Sequence, residues 1–255
     1  MPEPHSNFNN RWTWLPSASA KVIDFMSDDP APFESPFNTI PPVIIVLVAI
    51  VAAIELTLSA GATGLVGGPG AIGWRLSALN DYAFSPAVWD YVWTRGDTSP
   101  ELLKRFVTYA FVHGSFTDAL FGVALLLALG KFVGDVFSGA ATLAVFVIGT
   151  LVGALVYGVF VKGAVPLFGV WPAVYGLIGA FTYILWLRLG QAGQNQIAAF
   201  RLIGFLLGLQ LVFGLIFGSS PMWIAELAGF VAGFAASVVL APGGWTALLH
   251  RLRQR

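Results

Sequence analysis

Few residues in this chain are equipped for chemistry. There is no cysteine among its 255 residues, which excludes thiolate nucleophiles, cysteine metal ligands and disulfides. The three histidines, His5, His113 and His250, lie far apart in sequence, unlike the clustered ligands of a metal site. Acids are left: Glu55, Asp118 and Glu226 fall within or at the edge of long apolar stretches. A carboxylate inside a membrane span is costly and marks function, unless it lies shallow enough to snorkel to water. For Glu226 both readings stand, because Pro221 marks a helix start close by. Asp118 is similar, about one turn inside a membrane surface. Glu55 either pairs with a basic loop residue or marks the end of its span. Among hydroxyls, Ser115 has no evident base partner and reads as a cap or turn residue, as do Ser138, Ser219, Ser220 and Ser237.

The elements that must position these groups are membrane helices. The chain is 57% hydrophobic and only 10% charged, with mean hydropathy +0.79. Soluble domains carry about 25% charged residues. The net charge is zero and no basic surface points to nucleic acid. No cofactor and no metal site is expected.

Residues 1–39 read as a polar, proline-rich soluble tail with no cleavable signal, so the first apolar segment would direct insertion. Six apolar stretches follow, at about 40–60, 105–130, 138–161, 168–188, 197–218 and 221–240. Each is long enough for a hydrocarbon core that needs about 20 residues. Residues 61–103 form the longest connection, and its Trp74, Tyr82, Trp89, Tyr91 and Trp93 suit a loop half-sunk in headgroups. Residues 241–255 form a basic C-terminal tail. Six spans put both termini on one side. The distribution of Lys and Arg favours the cytoplasm for them, with a bacterial inner membrane as the expected location. Gly149–Gly153, Gly204–Gly208 and Gly229–Gly233 are G-x-x-x-G pairs, a spacing that lets helix backbones approach closely in lipid.

The order of these signals, over about residues 40–240, resembles the rhomboid family of intramembrane serine proteases. Arg105, in KRFVTYAFVHGSF, sits where that family has an arginine opening its second span. His113, in FVHGS, matches its histidine-containing turn. GVWPAVYGLIGAF, residues 169–181, looks like its G-x-S-G-x-x-x-G-x-x-G segment. AELAGFVAG, residues 225–233, looks like its A-H-x-x-G-x-x-x-G sixth span. The shared scaffold positions are Arg105, His113, Gly169, Tyr175, Gly176, Gly179, Gly229 and Gly233.

The resemblance implies an all-α bundle of six transmembrane helices, and it also marks where this chain departs from the family. The nucleophilic serine falls at Trp171 and the following glycine at Pro172. The histidine base falls at Glu226, and the oxyanion-stabilising histidine and asparagine fall at Asp118 and Gly122. No residue is therefore assigned as catalytic. The expectation is an inactive member, a pseudoprotease, that holds transmembrane helices of client proteins, with membrane lipids and such clients as its partners. Trp171 and Pro172 would fill the space of a former active site, and a groove between the second and fifth spans would suit a guest helix. If Asp118 and Glu226 face each other, as the family fold implies, they could share a proton. Two other functions compete: an active protease with a relocated nucleophile, and a small transporter using Asp118 and Glu226 as a proton relay. The spans show no inverted repeat to favour the last.

Overall fold

In a computed structural model the described residues are 40–218 and 220–242, excluding the side chain of Phe217. The two tails, 1–39 and most of 241–255, lie outside them, as does Ser219. Among the described residues six helices are long and apolar enough to cross a membrane. They are α1 (Pro42–Ala62), α6 (Phe116–Gly134), α7 (Gly139–Phe160), α8 (Trp171–Gln191), α9 (Arg201–Phe217) and α10 (Trp223–Leu240). A 3₁₀ turn, Gln196–Phe200, leads into α9. Between α1 and α6 run four short helices: α2 (Trp74–Tyr82), α3 (Pro86–Trp89), α4 (Pro100–Leu103) and α5 (Arg105–Thr108). No strand forms among the described residues beyond one antiparallel bridge between Phe84 and Leu167.

The second span begins at Phe116, not near residue 105. Val112 leaves helical geometry at φ −112° and ψ 130°. Ser115 then caps α6 by accepting from the Asp118 N–H at 3.1 Å. Residues 105–111 instead form a short helix and a 3₁₀ turn packed against α7. The Tyr109 hydroxyl donates to the Thr150 carbonyl at 2.7 Å. Arg105 thus belongs to the first connection, where its guanidinium donates to the Ala83 carbonyl at 3.4 Å.

The core is built around α8, where 61% of the most apolar 18-residue stretch is buried, against 11% of the corresponding stretch of the fifth span. Pro172 sits in the first turn of α8, where the missing N–H costs no intrahelical bond. Its carbonyl lies against Gly149 of α7 and Gly229 of α10. A Cβ on Gly229 would run into the Pro172 carbonyl, one on Gly233 into the Gly176 carbonyl, and one on Gly179 into the Phe230 carbonyl. A Cβ on Gly153 would come within 2.7 Å of the Pro172 ring. Three spans therefore touch backbone to backbone. The third pair, Gly204–Gly208 on α9, has nothing within 4 Å of either added Cβ.

The glycines should separate by stability. Gly233→Ala or Gly179→Ala is expected to cost about 1–3 kcal/mol or more through overpacking. Gly204→Ala should be neutral or gain up to about 1 kcal/mol from helix propensity. Unfolding titrations in mixed micelles measure the difference.

Candidate functional site

Because successive spans alternate in direction, one end of the bundle collects the last turns of α1 and the first turns of α6, α8 and α10. Four of the groups singled out in the sequence lie toward that end: Glu55, Asp118, Trp171 and Glu226. The last three are set by the local geometry of a helix start. Asp118 is three residues beyond the Ser115 cap, and its Oδ2 reaches back to accept from the Gly114 N–H at 3.2 Å. Trp171 is the first residue of α8, and Glu226 lies in the first turn of α10.

The Trp171 indole N–H donates to Asp118 Oδ1 at 2.7 Å. The start of α8 is thereby tied to the first turn of α6. Gly122 stands one turn further along α6. An added Cβ there would lie 2.7 Å from Val170 Cγ1 and 3.3 Å from His113 Nε2, so the neighbouring turn occupies this space. Gly169 adopts φ +89°, a conformation costly for other residues, and its N–H donates to the carbonyls of Tyr109 and Val112 at 2.9 and 2.8 Å.

Glu226 is 7% exposed and belongs to a separate set of contacts. It accepts from the Gln210 side-chain amide of α9, and the Tyr175 hydroxyl of α8 also hydrogen-bonds to it. Asp118 and Glu226 make no direct hydrogen bond with each other. Their partners differ because α8 stands between them with Trp171 turned to one and Tyr175 to the other.

Trp171 packs against the core, and its indole is held toward α6 by the hydrogen bond to Asp118. Beside it a cleft of about 310 Å³ is lined by Gln210, Phe213 and Gly214 of α9 and Met222, Trp223 and Glu226 at the start of α10.

Glu55 finds its basic partner in the first loop. Arg75 donates to both Glu55 oxygens, at 3.0 and 2.6 Å, to the His113 carbonyl at 2.9 Å and to Ser59 Oγ at 3.1 Å. Hydrogen bonding to Glu55 raises the Arg75 pKa further. His113 is 1% exposed, and its Nε2 accepts from the Val170 N–H at 3.3 Å. One histidine thus connects the ion pair to the start of α8. Burial holds its pKa below the ordinary range; Arg75 adds to this, while Asp118 and Glu55 oppose it. Among the described residues, no group of three histidine, aspartate or glutamate side chains converges as a metal ion requires.

Sequence reasoning missed Arg75 and Gln210. Arg75 carried no distinguishing signal within its loop. Gln210 did carry one, as a lone amide deep in the apolar run Leu202–Phe217. A family model for the Rhomboid domain matches residues 100–243. No curated protein matches the chain.

Trp171→Phe removes the indole N–H and should destabilise the protein by about 1–3 kcal/mol, as expected for a hydrogen bond to a charged group. In an Asp118→Asn background the same change should cost measurably less, which a double-mutant cycle reads out. The depressed His113 pKa predicts a pH effect. Below about pH 6.5 the unfolded chain takes up a proton that the folded chain still refuses, so stability falls with pH in that range. The melting temperature should drop between pH 7 and 5.5, and His113→Asn should flatten that slope.

Proposed function

Since the chain belongs to the rhomboid family and is an integral membrane protein with several spans, we propose that it holds transmembrane helices of client proteins without cleaving them. The observation that carries this reading is the Trp171–Asp118 hydrogen bond. Peptide hydrolysis needs a nucleophile within hydrogen-bond reach of a base. At the position matching the family's serine stands an indole, which has no nucleophilic atom and whose one N–H is committed. At the position matching the base, Glu226 is engaged by Gln210 and Tyr175. Gly122 offers no side-chain donor to a developing oxyanion, and losing one such donor costs about 10²–10³ in rate. An ionised Asp118 would repel that oxyanion.

Several of the described serines have other work. Ser115 and Ser138 cap helices, Ser59 serves the Glu55–Arg75 pair, and Ser237 donates to the Gly233 carbonyl at 2.7 Å. Ser220 shares the cleft with Glu226 and is the hydroxyl to test for a relocated nucleophile. For client binding, the support is the family resemblance together with the groove beside α9. We place both termini in the cytoplasm, because that orientation puts Lys131, Arg188 and Arg201 inside with the tail arginines.

The test is reconstitution in vesicles with a single-span model substrate and a serine-directed fluorophosphonate. No cleavage and no labelling are expected, while photo-crosslinkers on α9 capture the uncleaved helix. Labelling that disappears in Ser220→Ala would overturn the assignment.

A further inference from the structure

We infer that the guest helix carries a basic side chain close to the membrane face where α6, α8 and α10 begin, and that Glu226 with Gln210 receives it. The inference rests on the client-holding reading and adds the chemistry of the client.

Two cavities run along α9. The first, about 410 Å³, is lined by Leu207, Leu211, Leu215 and Leu227 together with Gln210, Gly214 and Trp223. The second is the 310 Å³ cleft beside Trp171, which shares Gln210, Gly214 and Trp223 with the first. Together they form one groove following α9 for roughly 15 Å, about three helical turns. Its walls are mostly apolar, and among the described residues no lysine, arginine or histidine lines it.

The polar groups of the groove are unbalanced. Glu226 brings a carboxylate, which takes one N–H of the Gln210 amide and the Tyr175 hydroxyl, neither of them a cation. The Gln210 Oε1 is buried with no hydrogen-bond partner. The Trp171 indole N–H is spent on Asp118. The site therefore offers acceptors and an acidic group, with no cation to meet them. A charge at this depth is costly unless it is paired. A lysine or arginine from a guest helix supplies the opposite charge and donors for both Glu226 and Gln210 Oε1.

The geometry of α9 suits a helix as the donor's carrier. Gly204, Gly208, Leu211 and Leu215 recur at helical spacing along one side, and the two leucines line the groove. Both glycines face open space, so a second backbone can approach this side closely. The glycine side gives approach, and the acidic end sets which helix is retained.

The experiment uses the full chain in phosphatidylcholine vesicles. Its probes are single-span leucine–alanine helices carrying one lysine, one glutamate or no polar residue, one turn from the end. Association is read by fluorescence energy transfer. The lysine helix should bind about three- to tenfold more tightly than the apolar one, in line with polar contacts between membrane helices. The glutamate helix should bind no better than the apolar one. Glu226→Gln, which keeps the shape of the side chain, should bring the lysine helix down to the level at which the same variant binds the apolar helix. Gln210→Leu should weaken the lysine helix selectively.

Equal binding of all three helices leaves client holding intact and overturns the inference. No binding of any helix overturns both. Lysine-helix binding that survives Glu226→Gln places the cation elsewhere and also overturns it. Loss of that binding when phosphatidylethanolamine replaces phosphatidylcholine would identify a lipid amine as the occupant, against the inference. So would self-association between labelled copies that excludes the guest.

Discussion

Contact between bare helix backbones is the constraint on which this structure depends. Lipid gives helices no hydrophobic reason to associate, so the bundle is held by dispersion at close range. Gly149 and Gly153 on α7, Gly176 and Gly179 on α8, and Gly229 and Gly233 on α10 let three spans come within van der Waals distance of each other's main chains. Pro172 adds to the same contact, with its carbonyl lying over Gly229. With α8 clamped in this way, Trp171 and Tyr175 at its start have fixed directions. The partners available to Asp118 and Glu226 follow from those directions.

A second set of interactions attaches the first loop to this clamp. The Glu55–Arg75 pair joins the end of α1 to α2, and Arg75 continues to the His113 carbonyl. The His113 ring then receives the Val170 N–H at the entry to α8. A buried charge pair of this kind is justified less by net stability than by the cost of leaving either partner alone. It ties the loop to the same face as Asp118 and Trp171.

Much of this was legible in the sequence. Span number and order follow from hydropathy, which is a property of local composition. The glycine pairs at Gly149–Gly153 and Gly229–Gly233 signalled close packing, and that packing is present. The same motif at Gly204–Gly208 gave the same signal and packs against nothing in the monomer. Spacing alone reports that a backbone is approachable but says nothing about what approaches it. The start of the second span was misplaced because residues 105–111 are apolar enough for a membrane, although the turn at Val112–Ser115 separates them from α6.

By itself the sequence determined the solvent and the helices, because hydropathy is a property of local composition. What tertiary structure alone decided was which group holds each carboxylate. Arg75 comes to Glu55 from 20 residues away, Trp171 to Asp118 from 53, and Gln210 to Glu226 from 16. None of these spacings is a helical period. Each pairing exists only because separate helices pack with particular faces together, and that depends on the whole bundle at once.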